Sequence, residues 1–462
     1  MNNQSQFKSI NPFSEELIAE FDTVVSEVYL NQSIEEINRA QKVWMHTPLS
    51  QRIAFLPELA QLLREQADYL AQIASEEMGK LFSHAKAEVL KSASLCEYYE
   101  AEAALILGSA QKDLGNGTIV KIEKIALGTV LGIFPWNFPF WQILRSAIPT
   151  LVAGNAMLVK PAPNVPKSAL ALQKILEQTC LPKHLFSTHF LNNEEIECAI
   201  GNPKINAVTF TGSTQTGAHI AGLAGKHLKP VVVELGGSDP LILLDDVDLP
   251  AVIDEVLFSR FQNNGQSCVA AKRFLVHTSM KDLFLNLAKE KIAAYKIGNP
   301  LESDVFIGPI ARKDLQEKLQ SQVQQCLAGG ATLFWQQDHI PSTGYFFPPS
   351  ILCQIPTDNL AAQEELFGPV LSVFEYSSEE ELITIANSTQ YGLGASIFTS
   401  NLGRAERLAN QIESGMVYIN QMVKSDPRIP FGGIKKSGFG RELGPEGLLA
   451  FCQTKTTWVK QK

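Results

Sequence analysis

A single cysteine, Cys268, has the surroundings that most favour covalent chemistry in this chain. It lies in the stretch 261–273, after a polar turn that contains Gly265 and before a run of small residues. Apolar segments flank this stretch on both sides, so we expect a loop held between packed elements. A thiol on such a loop is a candidate nucleophile if a neighbour lowers its pKa or accepts its proton. The alternative is a small buried hydrophobic residue, which is the common role of a free cysteine.

Glu234 is a candidate for the group that accepts a proton. It continues the apolar run 231–233 and is followed by Leu235 and two glycines. Burying a carboxylate is costly, and burial raises the pKa of a carboxyl group toward the range in which a general base works. A structural carboxylate with satisfied hydrogen bonds is the alternative, and the residues alone leave both interpretations open.

Candidate strands and helical segments alternate between residues 129 and 240. The predicted strands are Thr129–Phe134, Ala156–Lys160, Leu185–Phe190, Ile205–Phe210 and Val231–Leu235. This alternation predicts an α/β fold with a parallel, doubly wound sheet. Ligands bind such sheets at the carboxyl ends of the strands, so the loops that follow the strands are the ones expected to hold a ligand.

Two features at these strand ends suit a phosphate or a ribose. In the loop 211–217, Gly212 permits a tight turn, Ser213 can cap a helix predicted to begin near Thr216, and Gly217 allows close packing. A helix N-terminus suits a pyrophosphate, although an ordinary strand-to-helix turn is the commoner structure. Lys160 could donate to a ribose hydroxyl or a phosphate at the end of its strand, or could simply be solvated.

Composition excludes several classes of protein. The chain has 462 residues, which predicts about two or three domains. A net charge of −9 gives no basic surface for nucleic acid. No apolar run is long enough to span a bilayer, and Met1–Ile10 lacks the parts of a signal peptide, so we expect a cytoplasmic protein without membrane partners. The seven cysteines form no C-x-x-C pair, which argues against a disulfide framework and a metal site.

The remaining segments complete the predicted organisation. Helical periodicity dominates before about residue 110, where Ser33 and Glu36 form a candidate capping box. The segment Thr118–Ile125 alternates like a half-exposed strand, and Lys455–Lys460 could be another edge strand. A second α/β unit is predicted to begin at about Leu241.

Six motifs together resemble the signature set of the aldehyde dehydrogenases. They are Trp136–Pro139, Phe210–Ser213, Glu234–Gly237, Gly265–Cys268, Glu365–Pro369, and Pro430–Gly433 with Ser437 and Gly438. They follow the family's order and spacing across nearly the whole chain from about residue 30. The resemblance implies a Rossmann-type NAD(P)-binding domain over 1–115 and 128–240. It also implies an α/β catalytic domain over 241–430 and a β oligomerisation arm over 116–127 and 440–462, in a homodimer or homotetramer.

The resemblance also implies a role for each candidate residue. Cys268 would attack the aldehyde, Asn137 and the Cys268 backbone N–H would hold the developing oxyanion, and Glu234 would activate the hydrolytic water. The residues that match cofactor contacts are Trp136, Lys160, Gly212, Ser213, Gly217, Glu365 and Phe367.

The expected cofactor depends on a departure from the family pattern. Many relatives that prefer NAD have Lys-Pro-x-Glu where this chain has Lys160–Pro163, so the glutamate that would bind the ribose hydroxyls is missing. Its absence removes a charge that would repel a 2′-phosphate. We therefore expect NADP as cofactor, with NAD also accepted.

Arg145 is the main indication of substrate class. It lies on the helix that should line the substrate tunnel, and succinate-semialdehyde dehydrogenases also have arginine there. An arginine can hold a distal carboxylate bidentately, although it could instead meet a structural acid. A second arginine of some semialdehyde enzymes is Gln262 here, and Arg428 and Lys435 could also approach the substrate.

The overall amino-acid sequence is most similar to that of the short bacterial succinate-semialdehyde dehydrogenases. Oxidation of succinic semialdehyde to succinate is therefore the expected function. A broad-range aldehyde dehydrogenase, a CoA-acylating enzyme and a non-catalytic protein that retains the fold are the alternatives.

Overall fold

The fold comes from a computed structural model that describes residues 6–23, 26–115 and 117–460. Residues 1–5 and 24–25 of the predicted cofactor domain lie outside the described residues. So do residues 116 and 461–462 of the predicted arm. Within the described ranges, no helix combines the length and the apolar character needed to cross a membrane.

The strands of the described chain fall into four sheets. In chain order they are β1 Gln6–Ile10, β2 Leu17–Asp22, β3 Ala110–Asp113, β4 Thr118–Ala126, β5 Thr129–Ile133, β6 Ala156–Lys160, β7 Phe186–Thr188, β8 Ile205–Thr211, β9 Val231–Glu234, β10 Pro240–Leu243, β11 Arg273–His277, β12 Thr332–Gln336, β13 Ser350–Cys353, β14 Val370–Tyr376, β15 Gly394–Phe398, β16 Met416–Ile419, β17 Gly438–Phe439 and β18 Cys452–Lys460.

The α-helices cover the faces of these sheets. In chain order they are α1 Glu27–Trp44, α2 Leu49–Arg52, α3 Phe55–Glu65, α4 Ala67–Met78, α5 Phe82–Ile106, α6 Trp141–Val152, α7 Pro166–Leu176, α8 Asn193–Gly201, α9 Thr214–Lys226, α10 Leu249–Phe261, α11 Lys281–Ala293, α12 Lys313–Ala328, α13 Leu360–Gln363, α14 Glu379–Asn387, α15 Leu402–Ala409 and α16 Gly444–Leu449.

The predicted doubly wound sheet is confirmed, with one addition at its edge. Strands β9, β8, β5, β6 and β7 lie side by side in that order, and each neighbouring pair is parallel. The sequence did not indicate the sixth strand, β17, which pairs antiparallel with β9 through Gly438 opposite Glu234. A segment from near the end of the chain therefore completes the sheet that carries the candidate base.

The second α/β unit has a seven-stranded sheet with the order β12-β13-β14-β11-β10-β15-β16. All neighbouring pairs are parallel except β12 with β13. A third sheet joins β3, β4 and β18, so the predicted strand near residue 120 does pair with the C-terminal strand. Between β17 and β18, α16 packs against α5 and α6.

Two helix starts differ from the sequence prediction. Helix α1 begins at Glu27 and is capped by Ser26, so the predicted capping box at Ser33 is wrong. Ser33 lies inside the helix because the apolar periodicity of α1 extends upstream of this residue. The Ser33 hydroxyl forms a hydrogen bond with His189. Helix α9 begins at Thr214, and Ser213 caps it as expected.

Helix α6 places the candidate substrate residue in the protein interior. Every residue of α6 from Trp141 to Val152 is buried, including Arg145, which is 2% exposed. The helix packs against α5 and against strands β5 and β6 of the six-stranded sheet. Because an unpaired buried guanidinium is costly, Arg145 requires a partner of opposite charge within the protein.

Candidate active site

The turn that carries Cys268 is fixed by an unusual backbone. Asn263, Asn264 and Gly265 have successive positive φ angles of 52°, 59° and 74°. A Cβ atom at Gly265 would lie 2.3 Å from the Gly368 carbonyl oxygen, so only glycine fits there. The Asn264 side chain donates to two backbone carbonyls, at 2.9 and 3.0 Å. These contacts hold the segment just before the half-buried cysteine in one conformation.

Lys272 holds the same turn from the other side. Its ammonium group donates to the carbonyl oxygens of Ser267, at 2.8 Å, and Cys268, at 2.6 Å. It also lies 3.0 Å from the Glu365 carboxylate. The lysine therefore ties the nucleophile's backbone to one of the predicted cofactor residues.

The electrostatics of Cys268 favour a protonated thiol at rest. Burial raises its pKa to about 11, and the positive charges of Arg145 and Lys272 only partly oppose that shift. A thiol is a much weaker nucleophile than a thiolate. The reaction therefore needs a base that accepts the thiol proton.

Glu234 has the properties of such a base. It ends β9, is 3% exposed, and neither of its carboxylate oxygens accepts a hydrogen bond from the described residues. Burial raises its pKa well above the usual value and the charge of Glu442 adds to the shift, whereas Arg145 and Arg441 oppose it. A Cβ atom at Gly432 would lie 2.6 Å from Glu234 Oε1, so this glycine gives the carboxylate its space.

Arg145 meets a structural acid, as the alternative interpretation expected. Its Nε lies 2.5 Å from Glu442 Oε2. Burial raises the pKa of the Glu442 carboxyl group, and the charge of Arg145 partly opposes that rise. The guanidinium also lies 4.9 Å from the centre of the Phe431 ring and donates to Thr211 Oγ1 at 3.4 Å. The positive charge of Arg145 thus stabilises the ionised forms of two buried carboxylates, Glu234 and Glu442.

A cavity of about 200 Å³ opens onto Cys268. Its aromatic walls are Phe138, Trp141, Phe258 and Phe431, and its polar lining includes Arg145, Gln262, Lys91 and Lys424. The structure therefore brings three predicted residues, Cys268, Arg145 and Gln262, to one cavity.

The other two cations expected near the substrate do not line this cavity. Arg428 is exposed and forms a two-point ion pair with Asp426. Lys435 pairs with Glu413. The expectation that they approach the substrate is wrong, because neighbouring acids hold both side chains elsewhere.

The Asn137 amide is oriented by its neighbours. Its Oδ1 accepts from Gln142 Nε2 at 3.0 Å, and its Nδ2 donates to the Gln266 carbonyl at 3.0 Å. Asn263 Nδ2 donates to the Asn137 backbone carbonyl at 2.9 Å. A primary amide has two N–H groups, so the second N–H of Asn137 remains for an oxyanion.

A separate cavity of about 180 Å³ lies at the carboxyl ends of β5, β6 and β8. Lys160, Pro163, Gly212 and Thr216 are among its lining residues. A Cβ atom at Gly212 would lie 2.6 Å from the Phe210 ring, so a side chain at this position would require the ring to move. Burial, with a smaller effect of a nearby arginine, lowers the pKa of Lys160 to about 8.

The remaining predicted cofactor residues extend this surface toward Cys268. Trp136 and Phe367 make an edge-to-face contact with centroids 5.9 Å apart. Glu365 reaches Gly236, where a Cβ atom would lie 2.5 Å from its Oε2. Gly217 packs on Leu235, with a Cβ position 2.2 Å from the leucine side chain. An apolar cleft, the first turn of α9, Lys160 and Glu365 together fit a dinucleotide.

Three residues that contact the candidate site were not identified from the sequence. Lys272 had a local signal, because it follows Cys268 by four residues within an apolar run. Glu442 and Lys91 had none, because only the fold shows that their segments reach the cavity and Arg145.

Comparisons with known proteins agree with this geometry. The model of the aldehyde dehydrogenase family matches residues 1–457. The NADP(+) succinate-semialdehyde dehydrogenase of Mycobacterium avium (strain 104) is 38% identical over 454 residues, which cover 98% of this chain and 96% of that protein. That of Mycobacterium ulcerans (strain Agy99) is 37% identical, covering 99% and 98%.

Solved structures have the same fold. Succinic semialdehyde dehydrogenase from Streptococcus pyogenes, in complex with NADP+, superposes with a TM-score of 0.95 at 34% identity, covering 98% of this chain and 100% of that one. Succinate-semialdehyde dehydrogenase from Burkholderia pseudomallei gives a TM-score of 0.95 at 32% identity, covering 99% and 95%. The chain belongs to the aldehyde dehydrogenase family.

Proposed function

We propose that this aldehyde dehydrogenase oxidises succinic semialdehyde to succinate with NADP+. The observation that carries the proposal is the buried guanidinium of Arg145 in the cavity that opens onto Cys268. A cation in an aromatic cavity suits an aldehyde with a distal carboxylate. The names of full-length relatives support the same substrate and cofactor.

The first half of the reaction forms a thioester on Cys268. Glu234 accepts the thiol proton, and the thiolate attacks the aldehyde carbon to give a hemithioacetal. The free N–H of Asn137 and the backbone N–H of Cys268 stabilise the negative oxygen. The bound nicotinamide cofactor would accept the hydride that leaves the same carbon, and the carbon–sulfur bond remains as a thioester.

The second half hydrolyses the thioester. Once Glu234 has released the thiol proton to solvent, it takes a proton from water, and the hydroxide adds to the thioester carbon. The carbon–sulfur bond then breaks to release the acid, which ionises in water, and the Cys268 thiolate, which takes the proton back from Glu234. Arg145 assists because its charge favours the ionised form of Glu234. A hydrolytic base supports release of free acid over transfer to CoA.

The residues at the second cavity would hold NADP. Lys160 would donate to the ribose or its 2′-phosphate, and the first-turn N–H groups of α9, after Gly212 and the cap Ser213, would face the pyrophosphate. Trp136, Gly217, Glu365 and Phe367 would complete this surface. Pro163 leaves no carboxylate to repel the 2′-phosphate of NADP. NAD, which lacks this phosphate, is also expected to be accepted.

The domain roles follow the family pattern. We assign cofactor binding to 1–115 and 128–240, catalysis to 241–430, and oligomerisation to the arm of 116–127 and 440–462. Trp458 and Val459 on β18 are exposed large hydrophobic residues, which supports an assembly through this arm into a homodimer or homotetramer. The net charge of −9 is compatible with a cytoplasmic enzyme that does not bind nucleic acid.

A broad-range aldehyde dehydrogenase is the second candidate. Gln262 in place of a second arginine favours it, and so does the pairing of Arg145 with Glu442, which partly neutralises the guanidinium. Such an enzyme would oxidise neutral and charged aldehydes with similar kcat/KM.

The test is a panel of two aldehydes and two cofactors with purified protein. We expect reduced cofactor and free succinate, with kcat/KM higher for succinic semialdehyde than for butanal and higher for NADP+ than for NAD+. Cys268→Ala is the matched negative control, because it removes one sulfur atom and the covalent step. Equal kcat/KM for both aldehydes would overturn the substrate assignment, and turnover by the Cys268→Ala protein would overturn the mechanism.

A further inference from the structure

Lys91 lies on the wall of the cavity that opens onto Cys268. It belongs to α5, and its ammonium group lies 4.4 Å from the centre of the Trp141 ring. Trp141 and Arg145 are one turn apart on α6, so they share a face of that helix. The side chains of Lys91 and Arg145 therefore line the same cavity, and the charge of Arg145 acts on the ammonium of Lys91.

Lys91 has no ion pair among the residues that the structure describes. Its Nζ donates to the neutral hydroxyl of Ser425 at 2.6 Å. The two nearest acids have partners of their own. Glu88 pairs with Lys80 and accepts from the backbone N–H groups of Phe140 and Trp141 at the start of α6. Asp426 forms the two-point pair with Arg428.

The charge balance of the cavity differs between its two cations. Glu442 compensates Arg145 directly, whereas no carboxylate of the described residues forms an ion pair with Lys91. Burial is the main cause that lowers the pKa of Lys91 to about 8. The charges of Arg145 and Lys424 add to this shift, and Asp426 and Glu88 oppose it. An anion between the two cations would remove their repulsion and give the ammonium an acceptor.

We propose that Lys91 is the second cationic anchor for the distal carboxylate of the substrate, acting together with Arg145. The inference rests on the proposed oxidation of an aldehyde that carries a carboxylate. One carboxylate oxygen accepts from the ammonium of Lys91 and the other from a guanidinium N–H of Arg145. Ser425 holds the lysine toward the cavity. The position six residues before the cysteine, Gln262, then needs no charge.

The experiment compares Lys91→Met with wild type on succinic semialdehyde and butanal. Methionine keeps an unbranched side chain on Trp141 and removes the charge. We expect KM for succinic semialdehyde to rise about 10- to 100-fold with kcat nearly unchanged, since one charge-assisted hydrogen bond is lost. Butanal kinetics should change less than about twofold. Inhibition by succinate should weaken in parallel, and Lys91→Arg should keep most of the affinity.

One control variant separates direct binding from general electrostatics. Lys86→Met removes a partly exposed cation of α5 that pairs with Asp68 outside the cavity. Such a charge is screened by water and salt, so this variant should not raise KM for succinic semialdehyde by more than about twofold.

The outcomes distinguish this proposal from the proposed function. If wild type prefers succinic semialdehyde and Lys91→Met keeps that preference, the anchor role of Lys91 is wrong and the proposed function stands. Equal effects of Lys91→Met and Lys86→Met would also overturn it, because they would indicate long-range attraction alone. If wild type shows no preference for the charged aldehyde, the proposed function fails and this inference fails with it.

Discussion

Replacing Arg145 by methionine tests how the charge of this residue affects the two buried carboxylates, Glu234 and Glu442. The change removes the charge and leaves an unbranched side chain to pack on Phe431. The charge of Arg145 opposes the rise that burial and Glu442 cause in the pKa of Glu234. Its loss should therefore raise that pKa further, because a nearby opposite charge favours the ionised carboxylate.

The sign of the pH effect follows from the role of Glu234 as a base. The ionised carboxylate is the active form, so a higher pKa moves the rise of kcat to higher pH. At a pH below both pKa values, butanal turnover by Arg145→Met should be lower than that of wild type, by about tenfold for each unit by which the pKa of Glu234 rises. For succinic semialdehyde, a further loss of about 10- to 100-fold in kcat/KM should reflect the missing carboxylate contact.

The assay measures kcat and kcat/KM for both aldehydes from about pH 6 to about pH 10. The butanal profile reports the effect on Glu234, and the ratio of the two aldehydes reports substrate recognition. Arg145→Lys keeps a positive charge and should retain much of the butanal activity. The double variant Arg145→Met with Glu442→Gln removes the second carboxylate and should recover part of the butanal turnover near neutral pH.

Two results would refute the reasoning separately. An unchanged pH profile for butanal would mean that Arg145 does not control the ionisation of Glu234. A constant ratio between the aldehydes, in wild type and in Arg145→Met, would remove Arg145 from carboxylate recognition.

Three other predictions concern the base, the nucleophile and the acid stability of the fold. Glu234→Gln should give a burst of reduced cofactor followed by slow turnover in rapid mixing, whereas an equally slowed first hydride transfer would show that Glu234 acts mainly on Cys268. Wild-type kcat/KM should rise with pH through the neutral and alkaline range, because burial raises the pKa of Cys268 to about 11 and also that of Glu234; a profile that falls above neutral pH would contradict this. Burial also lowers the pKa of His84 and of His189 to about 4, so the unfolded chain binds their protons first. The free energy of unfolding in urea should then fall as the pH drops below about 6.5, by about 2 kcal/mol per histidine at about pH 5, and His189→Gln should reduce that loss.

Local patterns predicted the parts of the fold that depend on neighbouring residues. Alternation of strands and helices predicted the five parallel strands of the cofactor sheet. The cap at Ser213 followed from a hydroxyl at a strand-to-helix turn. The apolar surroundings of Glu234 predicted its burial and raised pKa, because a residue continues the environment of its strand. The capping box at Ser33 failed because the same periodicity permits an earlier start.

Contacts between distant segments could not be predicted from the sequence. Arg145 was expected either in the substrate tunnel or on a structural acid, and the structure gives both, since Glu442 comes from a loop near the end of the chain. Arg428 and Lys435 were expected near the substrate because the sequence does not show that Asp426 and Glu413 form ion pairs with them. Lys91 had no signal, because a lysine on a long helix is usually solvated.

The antiparallel pairing of β17 with β9 has a consequence for how the protein matures during synthesis. Gly438 and Phe439 leave the ribosome after every strand of the seven-stranded sheet. They nevertheless complete the edge of the six-stranded sheet that contains β9. Until then the edge of β9 is open and Arg145 lacks Glu442, which emerges only a few residues after β17. The nascent chain therefore holds Cys268 in an unfinished site. The proposed thioester chemistry therefore becomes possible only after β17 and Glu442 have emerged.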